Sequence, residues 1–397
     1  MNAPVLNAAS LANSAPTRED FLAKAAALAP LLRERAARCE DMRRVPEETV
    51  ADYQAAGLTR VTQPLRHGGF EMTWDVLCEV SQVLAIACGS QAWFQRIMAD
   101  HALLVATFPA DAQEDVWGKN QNALTAASFD PTGRATRVEG GYLFSGRHGF
   151  SSGVDYADFV IVGGYIHEGE TRAGPHFFLL PRSDITIIDD WRTMGLAGTG
   201  SKSFTIENKF IPDHRFLDGK QSREGRGPGT LVNKAAVYRT PRGGGITATG
   251  FAALTVGMGK GVLEEWLRYT GPRKSRGTAI GALATTHMVA AEASAELDAA
   301  ELLYLTTLRA AMDKLAAGGE ITDAEKRASK RNVAFACRLA FQAGSRLFNQ
   351  AGGRALFTDG YLQRQFRNLI GAASHHAVVW EEAGVEYGEG LLKQYGA

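Results

Sequence analysis

Nine histidines are spread along this 397-residue chain, and two of them, His375 and His376, stand side by side in the segment RNLIGAASHHAVVWEEAG. An imidazole titrates near neutrality, so in an apolar setting it can hold or hand over a proton at physiological pH. The same small, apolar surroundings suit a histidine that merely packs in a core or sits on a surface, and the pattern leaves both readings open. The segment itself reads as the late part of a helix. Other chemistries lack their spacing: there is no HExxH zinc helix, no GxSxG elbow and no pair of carboxylates set for acid–base work. Cys39, Cys78, Cys88 and Cys337 form no CxxC pair and no metal-ligand spacing with histidine. They sit within apolar helical patterns and read as buried free thiols, as a reducing cytoplasm keeps them.

Two glycine motifs invite a nucleotide reading and fail it. The run GLAGTGSKS from Gly195 nearly spells a phosphate loop, but Ser201 stands between Gly200 and Lys202, and no strand-to-helix signal surrounds it. Gly257, Gly259 and Gly261 lie in an alanine-rich helical pattern, where small residues serve close helix packing rather than a dinucleotide turn.

These side chains need elements to position them. At 45% hydrophobic and 22% charged, the chain has ordinary globular composition and ample length for a large core. Its 43 basic and 43 acidic residues balance, so no global field draws nucleic acid or an anionic membrane. The opening MNAPVLNAASLANSAPT lacks the regions of a secretory leader, and no run of about 18 apolar residues spans a bilayer, so a cytoplasmic protein is expected. From Thr17 to Gly118 the pattern is helical. Thr17 with Asp20 forms a capping box ahead of Phe21, Leu28, Leu31 and Leu32, and Thr73 and Ser90 read as N-caps of two further helices. From Asn120 to Leu217 short β-rich runs are punctuated by glycine, and ATRVEGGYLFSG reads as a hairpin turning near Gly140 and Gly141. The loop DGKQSREGRGPG marks a boundary. Beyond Leu231 long helices return, with Leu297, Tyr304, Leu308, Ala311 and Leu315 on one face and a Thr322–Glu325 capping box. The order predicts an α+β protein of three parts, 1–118 helical, 119–225 β and 226–397 a helical bundle, folding as one cooperative unit.

That order, with GRHGFSSGVDYADF, WRTMGLAGTGSKSF, YTGPRKSRG, QAGGR and a late RN-x6-H-x4-W, resembles one group of proteins. These are the oxygenase components of two-component flavin-dependent monooxygenases with the acyl-CoA dehydrogenase fold, such as p-hydroxyphenylacetate hydroxylase and dibenzothiophene monooxygenase. The resemblance runs from Glu19 to the C-terminus and rests on the order and spacing of the motifs together. It implies an N-terminal helical domain, a middle β-barrel-like domain and a C-terminal four-helix bundle.

Carried onto this sequence, the resemblance implies that His375 faces a flavin, with Ser151 near flavin N5 and Ser152 beside it. His101, in MADHALLVATF, matches a second pocket histidine. Trp93, Ser128, Phe129 and Phe150 become candidates to line the substrate pocket. Arg273 matches an arginine that reaches a neighbouring subunit's flavin phosphate, and Arg276, where the related motif has phenylalanine, adds charge that suits a phosphate. Gln350, Gly352 and Gly353 match a segment whose backbone approaches the flavin phosphates.

A dehydrogenase of this fold needs a carboxylate to remove a proton beside a thioester carbonyl. Here the stretch after Arg367 holds Ser374, His375 and His376, and no carboxylate appears until Glu381. A histidine suits instead the proton of a flavin hydroperoxide, and a serine at N5 would slow loss of that species as peroxide. The resulting expectation is a monooxygenase that uses reduced FAD or FMN and O2 to hydroxylate a small aromatic or heteroaromatic substrate, such as a phenol or indole. An acyl-CoA dehydrogenase-type FAD oxidoreductase is the alternative. With no nicotinamide fingerprint, a separate NAD(P)H:flavin reductase is needed as a transient partner, and the resemblance implies a homotetramer. No metal, nucleic acid or membrane partner is implied.

Overall fold

The computed structural model describes residues 16–243 and 245–396, so most of the opening segment read above lies outside the described residues. Five helices come first: α1 (Arg18–Met42), α2 (Glu47–Ala56), α3 (Trp74–Ala87), α4 (Gly89–Val105) and α5 (Ala110–Trp117). The Thr17 hydroxyl accepts from the Asp20 N–H, and the Asp20 carboxylate accepts from the Thr17 N–H, which sets the start of α1. Thr73 occupies the N-cap of α3 without a side-chain cap bond. Ser90 is not a cap. A single extended residue, Cys88, separates α3 from α4, so the chain has already turned into α4 when it reaches Ser90.

The middle of the chain forms one seven-stranded sheet from β1 (Thr125–Val138), β2 (Gly141–Ser151), β3 (Phe159–Glu168), β4 (Thr171–Pro181), β5 (Thr186–Ile188), β6 (Lys202–Pro212) and β7 (Phe216–Leu217). Their order is β5-β6-β2-β1-β3-β4-β7. The sheet therefore ends in two separate edge strands, around an apolar cluster that includes Phe144, Phe178, Phe204 and Ile206. The β1–β2 hairpin turns with Val138 paired to Gly141 and Gly140 between them.

Next come α6 (Gly219–Arg223), inside the glycine-rich boundary loop, and α7 (Thr249–Thr270), followed by a small hairpin of β8 (Lys274–Ser275) and β9 (Thr278–Ala279). The chain closes with α8 (Ala284–Ala316), α9 (Asp323–Ala351), α10 (Tyr361–Ala373) and α11 (Trp380–Lys393). The five expected core residues of α8 are buried, and Thr322 caps α9 through its box with Glu325. The first and last helical regions share one continuous core, in which α3 lies along α7. All four cysteines are buried and unpaired. None of the described helices is long and apolar enough to cross a membrane.

The histidine pair is not α-helical; His375 caps a short 3-10 turn that His376 opens. α10 stops at Ala373, and His375 and His376 lie in the link to α11. Two side-chain bonds compete with the helix there: the Ser374 hydroxyl donates back to the Ile370 carbonyl, and His375 Nδ1 accepts the Ala377 N–H.

Close approach of α3 and α7 depends on Gly257, where a β-carbon would come 2.6 Å from the Gln82 carbonyl oxygen. In an open helix, replacing glycine by alanine stabilises by about 1 kcal/mol. Gly257→Ala should instead lower the urea midpoint, because the added carbon meets backbone that cannot yield without separating the helices. A raised midpoint would contradict the contact.

Candidate active site

Every residue of α4 is buried, polar ones included. Trp93, Arg96 and Asp100 recur at a spacing that puts them on one side of this helix. Trp93 Nε1–H donates to the Ser152 hydroxyl at 3.1 Å, and its ring lies 5.3 Å from Phe251 and 5.7 Å from His375. The rings of Phe251 and His375 stack at 3.9 Å. Side chains from α4, the end of β2, the first turn of α7 and the α10–α11 link thus meet. Ser151 closes β2 opposite Lys202, and its hydroxyl is enclosed with no hydrogen-bond partner. Ser152 is within 2.7 Å of Ser201, which is in turn 2.7 Å from Thr199.

Charge is cancelled locally around this cluster. Arg96 sits over the Phe251 ring at 4.3 Å and lies 3.2 Å from Asp100, which also receives Arg242 at 2.7 Å. Burial would raise the Asp100 pKa, but Arg242 and Arg96 outweigh it and hold the carboxyl below its ordinary value. Burial pulls His101 down to about 4 and His375 down to about 3, the latter helped by His376 and Arg96. Both rings are therefore neutral at pH 7. His101 Nδ1 lies 2.8 Å from the Thr125 carbonyl oxygen, which can only accept, so its proton is on Nδ1 and Nε2 is an acceptor. His375 is the reverse: Nδ1 accepts from Ala377, so its proton is on Nε2.

Not every expected residue joins this cluster. Phe150 is 80% exposed with left-handed backbone (φ 55°), packs its ring edge against Trp191 and lines an adjoining cleft of about 320 Å³ with Arg192, Thr193 and Ser201. A bulge in β2 between His148 and Ser151, with the left-handed backbone of Phe150, turns its ring away from the side of Ser151, which corrects its expected place in the pocket. Phe129 is half-exposed and presents an edge to His101 at 5.7 Å. The Ser128 hydroxyl donates to the Gly149 carbonyl at 2.7 Å, tying β1 to β2. Trp380 packs against Phe335.

Arg273 and Gly352 do come together. Arg273 donates to the Ala351 carbonyl, and its guanidinium lies 3.3 Å from where a β-carbon on Gly352 would sit. Gly352 is left-handed (φ 76°), Gly353 faces open space and Gln350 is exposed. This second cluster follows the end of α7, whereas Phe251 stands at its start, roughly 28 Å away along the helix. Sequence reasoning missed Arg96, Asp100, Arg242, Phe251, Thr199 and Ser201. Two charges inside the otherwise apolar stretch of α4 were a usable signal for Arg96 and Asp100; the others carried none.

A histidine that is neutral when folded protonates on unfolding as pH falls below its ordinary value near 6.5, so the unfolded chain binds more protons in that window. His101 then withdraws stability as pH drops from about 6.5 towards 4, by about 2 kcal/mol at pH 5. Urea midpoints should fall over that range, and His101→Gln should make the fall shallower. An unchanged slope in that variant would mean His101 titrates normally.

Comparisons with known proteins place the chain in a family. The acyl-CoA dehydrogenase C-terminal domain family matches residues 249–380. The oxygenase subunit HsaA, a flavin-dependent monooxygenase of Rhodococcus jostii (strain RHA1), is 34% identical over 92% of this chain and 96% of its own length. The oxygenase component of an FADH(2)-dependent resorcinol hydroxylase from Rhizobium sp. (strain MTP-10005) is 30% identical over 94% of each chain. The crystal structure of the HsaA monooxygenase from M. tuberculosis superposes with a TM-score of 0.90 at 31% identity, over 95% of this chain and 98% of that one. The chain belongs to the flavin-dependent monooxygenases, as an oxygenase component of the two-component type with the acyl-CoA dehydrogenase-like fold.

Proposed function

We propose that this chain binds reduced FAD or FMN with its ring beside Ser151 and Ser152, and uses O2 to hydroxylate a small aromatic or heteroaromatic substrate. One observation carries the reading. A neutral imidazole, His375, is held against Phe251 and Trp93 beside the serine hydroxyls, where a dehydrogenase would need a carboxylate. Asp100, the buried carboxylate of this region, is committed to two arginines, and Glu381 is exposed on α11. The resorcinol hydroxylase relative favours a phenol among the substrates.

The residues present fit a flavin: Ser151 has an enclosed hydroxyl without a partner, and Arg273 stands at an open glycine turn suited to a phosphate. Reduced flavin, when bound, supplies the two electrons that let O2 give one atom to the substrate and the other to water. Within the chain, His375 holds a proton on Nε2 and is too weakly basic to take a second. His101 offers its Nε2 lone pair to a phenolic hydroxyl, which enriches the ring in electrons. Trp93 and Phe251 keep water out.

Arg273, Gln350, Gly352 and Gly353 lie too far from His375 to hold the phosphate of the same chain's flavin mononucleotide. They serve a neighbouring subunit's flavin, which calls for at least a dimer and suits the homotetramer that the family resemblance implies. Leu302, Leu356, Phe357 and Val385, each about two-thirds exposed, supply apolar surface on the C-terminal helices and the α9–α10 link for such contacts. The three parts 1–118, 119–225 and 226–397 act as domains of that assembly. Four unpaired cysteines fit a cytoplasmic protein fed by a separate NAD(P)H:flavin reductase.

Purified chain, a flavin reductase, NADH, resorcinol and ¹⁸O2 should yield product carrying one labelled oxygen. Oxidation of an acyl thioester without label would move the chain to the dehydrogenase alternative. Ser151→Ala should raise the share of NADH recovered as hydrogen peroxide, and His375→Ala should cut product at least about tenfold while reduced flavin still binds. Wild-type yield from the histidine variant would remove it from the site. Arg273→Ala should weaken reduced-flavin binding about tenfold, the worth of a charged hydrogen bond; undiminished affinity would dismiss the phosphate role.

A further inference from the structure

The run WRTMGLAGTGSKSF and the Arg367–Asn368 pair of α10 meet at one peptide group, that of Leu196. Leu196 has left-handed backbone (φ 56°), a conformation that costs any residue with a β-carbon free energy unless its surroundings hold it. Asn368, buried on α10, accepts the Leu196 N–H on its side-chain oxygen at 2.8 Å. The Leu196 carbonyl accepts twice, from Trp191 Nε1–H at 3.1 Å and from the Thr199 hydroxyl at 2.8 Å. Each of those donors serves the site. Trp191 packs against Phe150 and lines the adjoining cleft. Thr199 has spent its one proton on the carbonyl, so its 2.7 Å contact with Ser201 holds Ser201's proton, and the 2.7 Å contact of Ser201 with Ser152 holds that of Ser152. The direction of this hydroxyl chain therefore starts at Leu196. Neighbouring residues are pinned as well: Arg43 donates to the Trp191 carbonyl at 3.2 Å, and Arg367 to the Met194 carbonyl. Neither bond reaches the Leu196 N–H. That is left to Asn368.

We propose that Asn368 is a positioning residue for the hydroxylation: by holding the strained Leu196 peptide it fixes Trp191 at the cleft and orders the Thr199–Ser201–Ser152 hydroxyls. The inference rests on the flavin placement proposed above. Asn368 itself touches neither ring nor substrate. α10 continues from it to Ala373 and hands the chain to His375, so one helix sets the imidazole and, through Asn368, the wall that carries Trp191 and Ser152. Without that acceptor the Leu196 peptide is free to leave its left-handed turn, and Trp191 and Thr199 lose the fixed carbonyl they share. The wall then loosens and admits water, and electrons from NADH end in hydrogen peroxide in place of product.

Product and hydrogen peroxide formed per NADH test this, with resorcinol, a flavin reductase and the full chain in excess over flavin. Asn368→Leu keeps the bulk of the side chain and removes the acceptor. Its ratio of product to peroxide should fall about fivefold, the worth of one hydrogen bond, while reduced flavin still binds under anaerobic conditions. Asn368→Asp keeps an oxygen at that place and should hold the wild-type ratio. Trp191→Phe and Thr199→Val each remove one donor to the Leu196 carbonyl and leave α10 intact, so they test the route even where the leucine variant fails to fold. Each should lower the ratio. Because all three act through one peptide, Asn368→Leu combined with Trp191→Phe should lower it by less than the two single effects multiplied. A wild-type ratio in Asn368→Leu or in both donor variants, an aspartate variant as uncoupled as the leucine one, or effects that multiply in full overturns the inference while leaving the flavin site standing. Failure of the unaltered chain to bind reduced flavin removes the site, and this role with it.

Discussion

A helix enclosed on every side cannot carry charge unless that charge is cancelled where it stands, and α4 carries Arg96 and Asp100. An ion left uncompensated in such a place costs several kcal/mol, so Asp100 needs both Arg96 and Arg242 to remain ionised there. Arg242 comes from the segment leading into α7. Meeting Asp100 therefore ties the start of α7 to α4 and brings Phe251 over Arg96. The other face of Phe251 takes the His375 ring. Remove the charge balance and the imidazole loses its seat.

The same enclosure decides what the polar groups can do. Burial keeps both histidines neutral, and the partner of each Nδ1 decides what its Nε2 offers: an acceptor on His101 and a donor on His375. The hydroxyls of Ser152 and Ser201 are likewise limited to one role by their neighbours, whereas Ser151 is free. Proton traffic is set by hydrogen-bond direction as much as by acidity.

α7 also separates the molecule's two clusters. Its first turn belongs to the His375 pocket and its far end leads to Arg273 and Gly352. Small residues along it let α3 lie close, which makes it a rigid spacer between the His375 cluster and the Arg273–Gly352 turn. A rigid spacer of that length is the physical reason for expecting one subunit to complete its neighbour's site.

Much of this was legible in the sequence. The two capping boxes, the glycine hairpin, the helical face of α8 and the buried thiols all follow from local spacing, because local hydrogen bonds and one-sided burial act within a few residues. The missing carboxylate near His375 was likewise plain in the one-dimensional order. Ser90 and the helical reading of His375 failed because single-residue breaks depend on which side-chain bonds win against the helix. Phe150 differed from its expected place because its face of β2 is set by register with neighbouring strands. Only the tertiary structure could join Arg96, Arg242, Phe251 and His375, or Ser152 with Thr199. Those partners are far apart in the chain, and it is packing around an enclosed helix, not spacing along the backbone, that makes them neighbours.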